Sequence, residues 1–223
     1  ASGTDLTDVT DIACGGDHSA FVRWKTGDPN LQGRVFCVGK QQYGRLGDNV
    51  TTDTNRLWAN QAVLKSGSVP LENIVQVAAG PAFTLALDSS GKVRAWGRNQ
   101  YGALGRGNTT NSALAVAVKK PDGTGQLGGI QDTAATPNHQ SFALAVATDG
   151  TVYAWGYNGN GQLGNGSTST SPVTLPTAVT GLDLSTYPDV TLACDVTQAG
   201  IPGSVTLRAS PVDPDNNITK VEF

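Results

Sequence analysis

The sequence has no methionine, three cysteines and two histidines in 223 residues. Zinc sites and activated nucleophiles draw on clustered Cys and His side chains, and here those residues are few and widely spaced. Charged residues make up only 15%, and the net charge of −3 gives no electrostatic basis for binding nucleic acid. No apolar run approaches the roughly 20 residues that span a bilayer. We therefore expect no metal, no cofactor, no nucleic-acid partner and no membrane span.

The missing methionine and the cysteine usage bear on the compartment. A start at Ala1-Ser2-Gly3 suits the far side of a signal cleavage site, with a fragment of a longer chain as the equal alternative. Three cysteines are consistent with an oxidising compartment. Cys14 and Cys37 fall on strands expected to be neighbours, which predicts a disulfide; two buried free thiols are the alternative. We expect an extracellular or cell-surface location, with Cys194 left over.

What the chain does have is a motif that recurs three times. Residues 37–47, 95–105 and 154–164 share a Gly-x-x-x-Tyr/Asn-Gly-x-Leu-Gly pattern, and the last two begin with Ala-Trp-Gly. Val38, Trp96 and Trp155 are equivalent and stand 58 and 59 residues apart. A fixed period of this length is typical of repeat architectures, in which each unit is one supersecondary element.

Each unit also contains several short alternating strands separated by turn residues. Two turns contain Ser90-Gly91 and Asp149-Gly150, dipeptides suited to the positive φ of tight hairpins. About four strands per unit predict an all-β fold with about three β-propeller blades, in an incomplete or open propeller. We place these repeats in residues 1–181, with units near 8–65, 73–122 and 130–180, and interpret Trp96 and Trp155 as core residues between blades.

These residues resemble the regulator of chromosome condensation repeat. The similarity lies in the order small-small-Gly, His-Ser or its equivalent, alternating apolar residues, Asp-Gly, Trp-Gly and Gly-Gln-Leu-Gly, and it covers roughly residues 8–180. The family forms β-propellers, usually of seven blades, and its founder is a nuclear exchange factor for a small GTPase. The sequence departs from the pattern at Val38, Phe83 and Thr136. The resemblance implies the fold; it does not transfer the exchange activity.

The segment 182–223 differs in kind from the repeats. Its alternating apolar and polar residues look like the first half of a bacterial immunoglobulin-like domain. Such a sandwich needs about seven strands, and only about three are predicted here. We therefore expect a partial immunoglobulin-like β-sandwich after the propeller repeats.

Three features resemble chemical sites and are interpreted otherwise. Asp17-His18-Ser19 contains the residue types of a catalytic triad, but sequence adjacency is not triad geometry. We predict a structural role for His18, with His139 as its repeat counterpart offset by one residue. Gly159–Gly164 matches a dinucleotide fingerprint without the helix that must follow it. Asp213 and Asp215 are weak calcium candidates, with a plain Asp/Asn turn favoured.

The leading functional hypothesis is a non-enzymatic extracellular binding, adhesion or scaffold protein that displays loops on a propeller framework to a protein or glycan. The partner-binding candidates lie in loops that break the repeat, residues 25–33, 49–60 and 119–128; they are Arg56, Trp58, Asp28 and Asn30. One alternative is a structural subunit of a fibre or pilus, completed by other copies or chains. A second, less favoured alternative is an exchange factor for a small GTPase.

Overall fold

A computed structural model describes residues 5–59, 63–136 and 140–180, together with the backbone of 189–194 and 207–212. The chain divides into two compact units, Ala1–Thr180 and Gly181–Phe223. No helix in the described part is long and apolar enough to cross a membrane. The all-β class predicted from the sequence is confirmed, because the regular elements are strands and two short 3-10 turns at Pro29–Leu31 and Gln42–Gly44.

The first unit consists of three four-stranded antiparallel sheets, which we call blades 1, 2 and 3. In each blade the strands follow one another in chain order, so that every connection is a hairpin or a loop between neighbours. Blade 1 comprises β1 Val9–Cys14, β2 His18–Trp24, β3 Gln32–Lys40 and β4 Asn55–Arg56, and a small hairpin of β5 Leu64–Ser66 and β6 Val69–Pro70 follows it. Blade 2 comprises β7 Ile74–Ala79, β8 Phe83–Asp88, β9 Val93–Gly97 and β10 Ser112–Ala117. Blade 3 comprises β11 Ile130–Ala135, β12 Phe142–Ala147, β13 Val152–Asn158 and β14 Ser169–Ala178.

The blades stack face to face, with the first strand of each against the first strand of the next. One apolar cluster lies between blades 1 and 2 and contains Leu46, Val63 and Trp96. A second lies between blades 2 and 3 and contains Leu104, Val118 and Trp155. Both tryptophans are fully buried, which confirms their interpretation as core residues between blades.

Close backbone approach requires a glycine after Val38 and in each of the two Trp-Gly pairs. Gly39, Gly97 and Gly156 have φ of +107°, +105° and +111°, a region that L side chains rarely adopt. A Cβ atom on Gly97 would lie 2.4 Å from the Ala82 carbonyl oxygen, and the other two positions are equally crowded. The three glycines therefore mark one structural position, which makes Val38, Trp96 and Trp155 equivalent in space.

The predicted Cys14–Cys37 disulfide is wrong. Both thiols are free, with Cys14 exposed and Cys37 buried. Cys14 pairs with Ser19 and Cys37 pairs with Ala20, so β2 lies between their strands and the side chains point to opposite faces of the sheet. A disulfide needs Cα atoms within about 7 Å and converging Cβ vectors, which this arrangement forbids.

Register shows which residues correspond to His18. His18 pairs with Gly39, Phe83 with Gly97, and Phe142 with Gly156. Phe83 and Phe142 therefore occupy the position of His18 in blades 2 and 3; His139 lies outside the described residues.

In the second unit the structure describes two antiparallel strands, β15 Asp189–Cys194 and β16 Leu207–Val212, paired in register from Asp189↔Val212 to Cys194↔Leu207. The immunoglobulin-like assignment of this segment stays a prediction. The weak calcium candidates Asp213 and Asp215 lie outside the described residues.

Candidate protein-binding face

The connections of the blades lie at two opposite ends of the strands. The loops that join the first strand to the second and the third to the fourth meet at one end, which we call the upper face; it includes residues 15–17, 40–54, 80–82 and 98–111. The hairpins between second and third strands and the connections between blades meet at the lower face, at residues 25–31, 63–73, 89–92 and 118–129. Such loops can vary on a rigid scaffold, so both faces are candidates for recognition.

The upper face carries aromatic and guanidinium groups that pair across the blade junctions. The Arg98 guanidinium of blade 2 lies 4.7 Å from the centre of the Tyr43 ring of blade 1. At the next junction the rings of Tyr101 and Tyr157 meet edge to face with centres 5.1 Å apart. Cation–π and edge-to-face contacts are both favourable geometries for these groups. We call these four half-buried residues the upper-face ladder.

The ladder arises from repeated sequence positions. Arg98 and Tyr157 each follow a Trp-Gly pair, whereas Tyr43 and Tyr101 each precede the glycine of the next turn. Tyr43 has φ of +64°, a strained conformation for a non-glycine residue. This ladder was not predicted from the sequence, although Tyr43-Gly44 and Tyr101-Gly102 recur at the same spacing after Val38 and Trp96.

The upper face also contains a buried charged residue, Arg45. The Arg45 guanidinium is almost fully buried, its Nη1 lies 3.2 Å from an Asp17 carboxylate oxygen, and its Nε donates to the Gln42 carbonyl. The ring nitrogen Nε2 of buried His18 lies 2.8 Å from the Thr84 hydroxyl of blade 2. Burial, and then the nearby Arg45 charge, lowers the pKa of His18 to about 4, so the imidazole is neutral at pH 7.

Buried amides fix the loops that carry the ladder. In blade 2, Asn99 Nδ2 donates to the carbonyls of Asn108 and Thr110, and Asn99 Oδ1 accepts from the Leu104 amide. Asn158 repeats this arrangement in blade 3 with the Ser167 carbonyl and the Leu163 amide. In blade 1 Gln41 takes the same role, donating to the Val50 carbonyl and to Asp48. These loops are therefore preorganised in all three blades.

The partner-binding candidates from the sequence are not brought together on the upper face. Asp28 Oδ1 accepts from the Asn30 backbone amide and caps the turn Pro29–Leu31, which is a structural use of the Asp28 side chain. Arg56 donates to the buried Asp48 carboxylate. Trp58 is 56% exposed, and adjacent Leu57 is exposed at 76%.

The described residues offer little for catalysis. They contain no group of three or more His, Cys, Asp or Glu side chains arranged to hold a metal ion. Burial raises the pKa of the Cys37 thiol well above its usual range, which makes it a poor nucleophile. A cleft of about 240 Å³ on the lower face is lined by polar and charged side chains that include Lys65, Asp88 and Arg94. Gly161 and Gly164 close successive turns, so the dinucleotide-like glycines belong to a repeat loop.

Comparison with known proteins identifies the class of the chain. Two family models described as the regulator of chromosome condensation (RCC1) repeat match it, one over residues 74–103 and the other over 32–87 and 149–194. The Ultraviolet-B receptor UVR8 of Arabidopsis thaliana is 32% identical over 155 residues, which cover 70% of this chain and 31% of the receptor. Human E3 ubiquitin-protein ligase HERC2 is 30% identical over 162 residues, 72% of this chain and 3% of the ligase.

Solved structures give the same fold. Human WBSCR16 superposes with a TM-score of 0.61 at 25% identity, covering 84% of this chain and 44% of that protein. Prp20p of Saccharomyces cerevisiae superposes with a TM-score of 0.57 at 18% identity, covering 95% of this chain and 45% of that protein. The three blades thus make this a β-propeller-type repeat protein. More particularly, it belongs to the proteins that carry RCC1 repeats, and it spans a third or less of the two curated relatives.

Proposed function

We propose that this chain is a protein-binding module that works by presenting preformed loops, without chemistry of its own. The single observation that carries the proposal is the upper-face ladder of Tyr43, Arg98, Tyr101 and Tyr157. Tyr and Arg are enriched among the residues that dominate binding energy at interfaces. Their loops are held by buried Asn99 and Asn158 side chains, so little ordering entropy is lost when a partner binds.

The relatives support a protein partner. The solved structure of Prp20p is described together with its binding to Gsp1p and histones. Those proteins are therefore the first probes to try with this chain. Because the chain covers only 3% of HERC2, the ligase activity of that relative is no guide to its function.

The test compares the ladder with the exposed Trp58 side chain in the full chain. The upper-face variant carries Arg98→Ala and Tyr101→Ala, and the control carries Trp58→Ala, which truncates an exposed aromatic side chain outside the ladder. Arg56 is left intact, because its removal would strand the buried Asp48 carboxylate. Circular dichroism should show that both variants keep the wild-type fold.

Binding is measured first with purified Gsp1p and histones, and then by quantitative capture from a cell extract. We expect the upper-face variant to lose at least about tenfold in affinity, and Trp58→Ala to retain binding. Loss with Trp58→Ala alone would instead assign binding to the loop of residues 49–60 predicted from the sequence. Equal binding by all three proteins would overturn the proposal.

The other functional hypotheses from the sequence have fewer observations in their favour. Exchange activity follows from the resemblance alone, and unaccelerated release of a labelled nucleotide from Gsp1p would remove it. The extracellular location stays a prediction, and it no longer has the Cys14–Cys37 disulfide as support. The glycan partner and the fibre or pilus subunit likewise stay predictions.

A further inference from the structure

The two blade junctions are built by the same set of contacts. At the first, Trp96 Nε1 of blade 2 donates to the Arg45 carbonyl of blade 1 over 2.9 Å. At the second, Trp155 Nε1 of blade 3 donates to the Ala103 carbonyl of blade 2 over 2.8 Å. Each accepting carbonyl lies two residues before the last glycine of the Leu-Gly pair, Gly47 or Gly105.

Each indole packs against one glycine and one valine, which we call the indole platform. A Cβ atom on Gly47 would lie 2.7 Å from Val63 Cγ1 and 3.0 Å from Trp96, and one on Gly105 would lie 2.8 Å from Val118 Cγ1 and 3.0 Å from Trp155. Only glycine therefore lets the indole rest on the loop of the preceding blade. Val63 and Val118 are both completely buried.

Blade 3 carries the same platform at its far side. A Cβ atom on Gly164 would lie 2.9 Å from Val179 Cγ1, and the Val179 amide donates to the Val152 carbonyl just as Val118 donates to Val93. The local structure is thus identical, but Val179 is 38% exposed where its two counterparts are at 0%. Among the described residues no tryptophan donates to the Gln162 carbonyl, which is the acceptor expected at this platform.

A second contact of the junctions repeats along the inner strands. Asp11 Oδ2 accepts from the Val77 amide over 2.6 Å, and Gln76 Oε1 accepts from the Thr133 amide over 3.0 Å. Asp132 stands at the same position of blade 3, but its Oδ1 accepts from Gln76 Nε2 of blade 2 and from the Thr133 amide. The indole platform is therefore the part of the junction that blade 3 repeats on its far side.

The side of blade 1 that faces away from blade 2 corresponds to the sides of blades 2 and 3 that pack on the preceding blade. It differs from them at the tryptophan position. Ile12 is 64% exposed, whereas its counterparts Val77 and Thr133 are 5% and 6% exposed because the preceding blade covers them. At the tryptophan position blade 1 has Val38, which has neither the indole surface nor an N–H to donate. A second copy of this chain therefore offers blade 3 an incomplete match.

We propose that the far side of blade 3, formed by Gln162, Gly164 and Val179, is a docking site for an RCC1-type blade whose third strand carries Trp-Gly. The indole fills the space over Gly164 and Val179 and donates to the Gln162 carbonyl. Val38 denies the same contact to a second copy of this chain, so the site is selective for a different blade. The two internal junctions supply the geometry of the complex.

The experiment uses full chains in which donor and acceptor sides are separated. The donor carries Val38→Trp to restore the indole and Val179→Glu to block its own platform; the acceptor is the wild-type chain. Sedimentation velocity and isothermal titration should show a one-to-one complex. The matched control acceptor carries Val179→Glu alone, which places a carboxylate on an exposed residue, and it should bind at least about tenfold more weakly.

A second arm is independent of the folding of the Val38→Trp variant. An acetylated peptide with the sequence of Val93–Gly97, which carries Trp96, is titrated into the labelled wild-type chain, and a peptide with alanine at the tryptophan position is the control. We expect methyl resonances of Val179 to shift with the tryptophan peptide alone, and those of buried Val63 to stay unchanged. No complex with the donor and no Val179 shift would overturn the proposal, as would Overhauser contacts showing that residues 181–223 of the same chain cover Val179.

Discussion

Trp155 shows how much of a junction depends on one side chain. The indole is fully buried, belongs to the apolar cluster between blades 2 and 3, and satisfies the Ala103 carbonyl. Trp155→Phe would remove the N–H, leave that buried carbonyl unpaired and open a small cavity beside Gly105. We expect a loss of about 2–4 kcal/mol of unfolding free energy. Urea denaturation measures it, with Trp58→Phe as the exposed control that should change stability by no more than about 0.5 kcal/mol; equal losses would contradict the junction role.

His18 makes the first junction sensitive to pH. Its pKa in the folded chain is lowered to about 4 by burial and by Arg45, against an ordinary value of 6.5. Between those values the unfolded chain binds more protons, so the stabilising contribution is complete above pH 6.5 and falls as the pH drops toward 4. The total change is on the order of 3 kcal/mol.

The variant His18→Phe tests this directly, because phenylalanine already occupies the position in blades 2 and 3. The two proteins differ only at this side chain, so the difference between their stability curves reports the contribution of the imidazole. We expect the wild type to lose more stability than His18→Phe between pH 7 and pH 4 in urea denaturation. Parallel curves would show that His18 is protonated equally in the folded and unfolded chains.

At the scale of elements, each loop after a third strand depends on one buried amide. Asn99→Asp keeps the shape and the acceptor oxygen but turns two donated hydrogen bonds into contacts between a carboxylate and two carbonyls. We expect a loss of about 2–4 kcal/mol and faster hydrogen exchange at the Leu104 amide. Asn108→Asp is the matched control, because Asn108 is exposed and uses Oδ1 to accept from Thr110, a bond that a carboxylate keeps. Unchanged exchange at Leu104 would rule out this role for Asn99.

The sequence was informative about elements and less so about their contacts. Period, turn residues and the Trp-Gly pairs indicated four-stranded units and buried tryptophans, because those signals are local and recur. The Cys14–Cys37 prediction failed because it needed the order of strands within the sheet. The upper-face ladder joins residues of different blades, so it depends on how units stack. Arg56 was predicted to contact a partner, but its pairing with Asp48 shows a structural use that composition alone could not reveal.

At the scale of the first unit, stability should follow the number of neighbours each blade has. Blade 2 is flanked by a blade on both sides, and both apolar clusters draw on it. Blades 1 and 3 each have one described junction, and they expose Ile12 and Val179 where blade 2 has buried residues. In stacked repeats, stability is approximately a sum of unit and nearest-neighbour terms. Amides of β8 and β9 should therefore exchange with solvent more slowly than those of β2, β3, β12 and β13.

Native-state hydrogen exchange followed by mass spectrometry or NMR measures this order. Trp96→Phe and Trp155→Phe sharpen the test, because each weakens one junction and leaves the other intact. We expect Trp96→Phe to speed exchange most in blade 1 and Trp155→Phe most in blade 3, since each variant loosens a blade that has lost its one described neighbour contact. Uniform protection across the three blades, or equal effects of both variants everywhere, would mean that the unit unfolds as a single cooperative block and that the junctions do not act separately.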